Sequence, residues 1–450
     1  MEMIHKGKRF RAGGAGALSK ASLLGAGFAL LLLTGCAGND RDPGQDAKDG
    51  PGIPAQPVTL SFYQYSAKMT DEEFQQLVAA PVKRKYPHIT LELVREGKGA
   101  SPQELVTAGS LPDLIYTGSA GAVTMLDLNA VQDLNGLIKK NGLDTGKFDP
   151  TAMSFIQGYS QTGQMFALPY SLNFSALFYN KDIFDKFGVS YPSDGMSWDD
   201  AIGLTKKLTR TGDGIVYKGL DLDGGFQRLG EQLALSVIEP KSLRAALRTD
   251  GWKTALDTFK RIKEIPGNSD DKAAVPAFEQ ERNLAMLAGL GARLGELEEL
   301  HGKGNPLNWD MAAMPAFREK PDNAFGISLF LLMISSSSKH KDEAFQVVKL
   351  LLEEDVQIAL NKRGRQTSLK DPKYRQYFAD DLKAAVGKNV AAIFKRNPAL
   401  LPPLTKFDNI AKNEIAKAAS KTAQGISDAN TAMREAEEQA NRLIEAEKNK

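Results

Sequence analysis

Cysteine is nearly absent from this chain of 450 residues: Cys36 is the only one. A single thiol excludes an internal disulfide framework and any cysteine-rich zinc or iron–sulfur site. Histidine is scarce as well. His5, His88, His301 and His340 lie far apart, so none forms a pair at metal-ligand spacing, and neither a metal nor histidine-based catalysis is expected. No apolar run reaches the roughly 20 residues that a membrane-spanning helix needs. The formal charge is only +2, and the first 35 residues account for it. Lys6, Lys8, Arg9, Arg11 and Lys20 against Glu2 make that segment +4 and leave −2 on the remainder. A near-neutral body has no electrostatic case for binding nucleic acid. What is present is an ordinary apolar fraction, 42%, over a length that suggests two or three domains.

The N-terminus is basic, then apolar, then small. Residues 21–33 (ASLLGAGFALLLL) are too short to span a bilayer and fit the apolar core of an export signal. They run into Leu33-Thr34-Gly35-Cys36, which resembles the lipobox of bacterial lipoproteins. The resemblance implies that residues 1–35 are removed and that the Cys36 thiol carries a diacylglycerol, placing the body on the outer face of the cell membrane. Each buried lipid methylene contributes about 0.8 kcal/mol, so several chains on one cysteine hold durably. Residues 36–57 are dense in Gly, Pro and Asp and hold almost no large apolar side chain, so they read as a flexible tether.

Folded sequence begins at Val58. Residues 58–63 (VTLSFY) and 89–94 (ITLELV) have strand patterns. Thr70-Asp71-Glu72-Glu73 and Ser101-Pro102-Gln103-Glu104 are capping boxes that open helices. Asp113-Leu114-Ile115-Tyr116 reads as a buried strand breaking at Gly118. Strands alternating with helices argue for an α/β lobe with a mostly parallel sheet. The same style resumes with a strand at 175–179, a short helix at 181–187 and a capped helix from Ser197 through Leu208. Residues 228–300 read as leucine- and alanine-rich helices, 310–314 and 325–334 as strand-like runs, 342–352 as an amphipathic helix and 408–450 as a helical cover.

The segment Leu105-Val106-Thr107-Ala108-Gly109-Ser110-Leu111-Pro112-Asp113-Leu114 resembles a signature of the extracellular solute-binding proteins of the carbohydrate group, the maltose-binding-protein-like family. Ala167-Leu168-Pro169 followed by Leu177-Phe178-Tyr179-Asn180-Lys181-Asp182-Ile183-Phe184 resembles a second. Met314-Pro315, Gly326 and the segment 341–352 (KDEAFQVVKLLL) match later ones. The resemblance implies an α/β, two-lobed periplasmic-binding-protein-like fold of type II with crossing hinge strands and a helical C-terminal cover. One lobe would hold 58–170 plus 312–355, the other 171–311 plus 356–450. The chain would cross near 168–173 and return near 310–314. It implies a non-enzymatic, monomeric receptor without cofactor that closes on a small molecule, a saccharide by preference, and hands it to the transmembrane permease of an ABC importer.

Open α/β sheets bind ligands at the carboxyl ends of their strands, which points to Tyr63, Gln64, Tyr65 and to Thr117, Gly118, Ser119. Tyr offers a saccharide both an apolar face and a hydroxyl. Asn173 beside Phe174 matches a family position for a polar ligand contact, and Phe226 is a candidate for stacking from the second lobe. The chain departs from the family after Ala285-Met286, where an aromatic is usual and Leu287-Ala288-Gly289-Leu290-Gly291-Ala292-Arg293 stands instead. Arg293 would suit an acidic saccharide or another anion through its bidentate fork. Asp221-x-Asp223-Gly224 hints at calcium but lacks the bidentate Glu that such a loop needs. Lys362-Arg363-Gly364-Arg365 reads as a solvated basic turn. Two further roles stay open at this level: a co-receptor for a membrane sensor, and a cell-surface polysaccharide-active enzyme.

Overall fold

The computed structural model describes residues 56–160, 162–269 and 273–449; Cys36 and the leader lie outside them. Two sheets organise the described chain. The first has six strands in the order Gln366–Thr367, Leu168–Leu172, Leu329–Ile334, Leu114–Gly118, Val58–Tyr65, Ile89–Arg95. The second has five, in the order Trp309–Ala312, Ser175–Asn180, Leu284–Leu290, Ile215–Leu222, Arg210–Gly212. The first sheet is buried in one apolar core and the second between two, as expected for an α/β protein with both sheet faces covered.

Local signals set the helix starts. Glu73 N–H donates to Thr70 Oγ1 at 3.1 Å while Thr70 N–H donates to Glu73 Oε2 at 2.9 Å. Ser101 with Glu104 and Ser197 with Asp200 make the same reciprocal pair. Asp113, from the Pro-Asp signature, is a framework residue. Its carboxylate accepts from Ser61 N–H (2.9 Å), Ser61 Oγ (2.8 Å) and Ser338 Oγ (2.7 Å). It thus ties the start of one strand to the middle of its neighbour and to the loop after Ile334. Burial alone would raise its pKa, but these bonds together hold it below the usual carboxylate range.

Two expectations are corrected here. Residues 284–290 (LAMLAGL) are not helical: they form a buried strand, parallel to Ile215–Leu222 and antiparallel to Ser175–Asn180. No β-branched residue announces it; burial between two strands overrides the helix-forming composition. The return crossing also lies further along than 310–314. Trp309–Ala312 is an edge strand of the second sheet, and Met314, Phe317 and Phe325 pack in the second core, the latter two against Trp198. The chain re-enters the first sheet only at Leu329. The apolar run 325–334 is therefore two strands split by a crossing, because its first half is anchored by pairing with Asn397–Ala399. The first lobe accordingly resumes at 329 and extends through helix Glu354–Lys362 to the edge strand Gln366–Thr367, rather than running from 312 to 355.

Helices Asp408–Ala423 and Ala429–Lys448 pack on the second core through Ile415, Ala418, Met433, Ala436, Ala440 and Ile444. Glu437 and Asn441 accept the backbone N–H groups of Leu247 and Ala245, fixing the second of these helices in register. The helical cover and the two-lobed fold stand as expected.

Candidate ligand-binding cleft

Two crossings run side by side between the lobes. Leu172 passes through Asn173 and Phe174 into Ser175, and Gly326 passes through Ile327 and Ser328 into Leu329. Asn173 N–H donates to Ser328 O at 2.9 Å, linking them. A third passage follows Thr367: the 3-10 turn Pro372–Tyr377 leads to Phe378, whose ring meets Phe174 edge-on at 5.3 Å. Gly291 N–H donates to Phe174 O at 2.8 Å, so the end of the Leu284–Leu290 strand abuts the first crossing. A Cβ on Gly291 would lie 2.5 Å from the Phe174 ring, which is why glycine stands there.

At the first-lobe strand ends the expected residues divide. Tyr65, Gly118 and Ser119 are half-buried, at the carboxyl ends of two strands and the start of the following helix. Tyr159 Oη donates to Ser119 O (2.8 Å), and Ser119 Oγ accepts from Leu329 N–H (3.1 Å), so this turn is tied to the return crossing. The other three are core residues. Tyr63 is fully buried; its hydroxyl donates to Ala100 O (2.5 Å) and its ring stacks on Tyr65 at 5.9 Å. Gln64 is buried and its Oε1 accepts from Arg95 (2.8 Å). Thr117 is fully buried, its hydroxyl pressed against Gly121 of the following helix. Both faces of this sheet are covered, so residues along its strands are buried whichever way they point.

Asn173 is half-buried, and its side chain makes no hydrogen bond to the described residues. Phe174 is buried between Gly291 and Phe378, a hinge packing residue rather than a platform. Phe226 is 2% exposed, wedged against Trp252 (5.7 Å) and Phe259 (5.6 Å), so it cannot stack on a ligand. Arg293 is not an open anion fork. Its side chain is 11% exposed and already meets Glu279 at 3.0 Å, Glu296 at 2.9 Å and Asp223 at 3.7 Å. Burial pushes Glu279 up to about 7 despite the attraction of Arg293, with Glu296 and Asp223 adding repulsion.

Sequence reasoning missed this acidic surround. Asp223 was visible only as half of a calcium hint, and Asp221 is already taken, accepting from Lys263 Nζ (2.7 Å) and from Leu222 N–H. Arg365 was missed too. The basic turn is not wholly solvated: the Arg365 guanidinium bonds Glu73 twice, at 2.7 and 2.9 Å, and lies 5.3 Å from the Phe330 ring centre.

The described geometry is two lobes whose strand ends meet at paired crossings. Residues 66–358 match the family model of the bacterial extracellular solute-binding proteins. The chain belongs to that family. A binding protein of Brucella abortus is 24% identical over 349 residues, 75% of this solute-binding protein and 77% of the relative. The sn-glycerol-3-phosphate-binding periplasmic protein UgpB of Escherichia coli is 27% identical over 106 residues, 23% of this chain and 24% of that one. Among solved structures, the ABC substrate-binding protein of Listeria monocytogenes in complex with cycloalternan superposes with a TM-score of 0.71 at 18% identity, covering 86% of this chain and 99% of that one. The sugar-binding protein MalE of Xanthomonas citri superposes at 0.66 with 16% identity, covering 87% and 98%. At these identities the structures establish the fold of this solute-binding protein.

Proposed function

We propose that this solute-binding protein is the lipid-anchored receptor of an ABC importer and captures a saccharide between its lobes. The observation that carries the reading is the joint between the lobes. Two separately packed sheets are joined by two short linked crossings and a third passage after Thr367, a connection suited to a hinge, and a solute touching both lobes would stabilise the closed form by whatever contacts the open form lacks. Membership of the family supports capture of an extracellular solute. A saccharide is favoured because the Listeria and Xanthomonas proteins of the same fold are described as cycloalternan- and sugar-binding, and because the half-buried Tyr65, Ser119 and Asn173 would supply an aromatic face and hydrogen-bonding groups. The closed form is what a membrane permease would read, and the Leu33-Thr34-Gly35-Cys36 sequence would keep the receptor beside it on the outer face of the membrane.

The test is thermal melting of the full chain in detergent against a saccharide panel. A ligand binding only the folded form at 100 times its dissociation constant stabilises by about 2.7 kcal/mol. A shift with a saccharide, lost on Asn173→Ala and Tyr65→Ala, is the expected result; no shift with any sugar would end the carbohydrate assignment. For the anchor, Cys36→Ser should release the protein from the membrane fraction, and continued sedimentation with membranes would refute lipidation there.

A further inference from the structure

The second lobe gathers more negative charge at its strand ends than its arginine can balance. Asp223 follows the strand Ile215–Leu222 and Arg293 follows Leu284–Leu290; these strands are parallel, and Asp223 N–H donates to Ala288 O at 2.9 Å. Arg293 Nη1 is committed to Glu279 and Nη2 to Glu296, while Nε lies 3.7 Å from Asp223 Oδ2, beyond hydrogen-bond distance. Two buried atoms here have no hydrogen-bond partner among the described residues: Arg293 Nε and Glu296 Oε2. Asp223 and Glu296 are the exposed members, 24% and 43%, against 11% for Arg293 and 7% for Glu279. The Asp223 carboxylate accepts no hydrogen bond from the described residues.

An unpaired N–H donor beside an unpaired carboxylate has a definite chemical complement. A hydroxyl is donor and acceptor at once, so one hydroxyl can accept from Arg293 Nε and donate to Asp223. An anion arriving at the same place would meet three carboxylates and a guanidinium whose other nitrogens are taken.

We infer that Arg293 Nε and Asp223 together take one hydroxyl group of the ligand, and that the cleft therefore selects non-anionic saccharides over uronic acids and sugar phosphates. This rests on the saccharide reading above and narrows it. Arg293, which sequence logic aimed at an anion, works in the opposite sense once its partners are counted.

The experiment measures dissociation constants for the full chain in detergent with a neutral maltooligosaccharide, a glucosamine oligomer, a galacturonic acid oligomer and glycerol 3-phosphate. Wild type is compared with Asp223→Asn, Arg293→Lys and Arg293→Met, with melting of each ligand-free variant read alongside so that a fold defect is not scored as lost affinity. The expected result is binding of a neutral or amino saccharide, weakened at least ~10-fold by Asp223→Asn, abolished by Arg293→Met and partly restored by Arg293→Lys. Binding of the galacturonic oligomer or the phosphate as tight as that of the neutral sugar would overturn the charge selection and leave the saccharide or solute reading intact. A neutral ligand bound equally by wild type and Asp223→Asn would overturn the role of Asp223. If no saccharide of any charge binds, the underlying reading falls and this one with it.

Discussion

Each lobe buries one arginine among carboxylates, and the two arginines behave oppositely. In the first lobe Arg365 faces a single carboxylate, Glu73, through two bonds at 2.7 and 2.9 Å. It also donates to Lys68 O (3.1 Å) and Tyr116 Oη (3.3 Å). In the second lobe Arg293 faces three carboxylates, two through one nitrogen each and the third at 3.7 Å. The consequence appears in the glutamates. Burial alone would raise Glu73, but the Arg365 bonds and charge outweigh it and hold the carboxyl below its ordinary range. Burial prevails at Glu279, whose arginine is shared, and pushes it up to about 7. Charge stoichiometry, rather than the presence of an arginine, decides whether such a pair satisfies its carboxylate or leaves polar atoms without a partner.

The comparison can be broken most forcefully at Arg365. Arg365→Met strands Glu73 half out of water and unties the turn before the edge strand from helix Asp71–Phe74. A loss of about 2–4 kcal/mol is expected, read from the denaturant midpoint; a loss within 0.5 kcal/mol would make the pair ornamental. At the joint between the lobes, Gly291→Ala drives a methyl into the Phe174 ring, with an expected cost of about 1–3 kcal/mol. Phe174→Leu in the same chain should recover part of that cost, and simple additivity in the double-mutant cycle would deny the contact.

The glutamates give a comparison in pH. The folded state holds the Glu279 proton more tightly than the unfolded chain, so stability contributed there is present below about 4.5 and falls as pH rises through about 7. Glu73 has the reverse sign: its contribution is present above its unfolded pKa and is lost as pH falls through the lowered folded value. Glu279→Gln should flatten the neutral limb of the stability profile and stabilise by about 1–2 kcal/mol at pH 8, the full shift being reduced by the weakened bond to Arg293. Glu73→Gln should flatten the acid limb and destabilise at pH 7. Profiles of the same sign for both variants would refute the stoichiometry argument. The smallest effect is expected at Phe226: Phe226→Leu should cost about 1 kcal/mol of stability and leave saccharide affinity unchanged. A clear affinity loss would return it to the cleft.

Local chemistry made part of this protein legible from its residues alone. The capping boxes, the alternation of strands and helices, the Pro-Asp and Tyr-Asn-Lys-Asp signatures and the C-terminal helices each depend on neighbours within a few positions, and from them the α/β class, the two lobes and the family follow. Tertiary structure decided the rest, because it depends on what long-range packing covers. The strand 284–290 is made of helix formers and became a strand through burial between two others. Tyr63, Gln64 and Thr117 sit in strand-end sequences, but their sheet is covered on both faces, leaving only Tyr65, Gly118 and Ser119 of that set half-buried. Glu279 and Arg293 are separated by 14 positions and Asp223 by 70 from Arg293, so nothing in the sequence pattern says that they meet. A charge's partners are set by the fold, and at this cleft the partners reverse what the arginine alone would suggest.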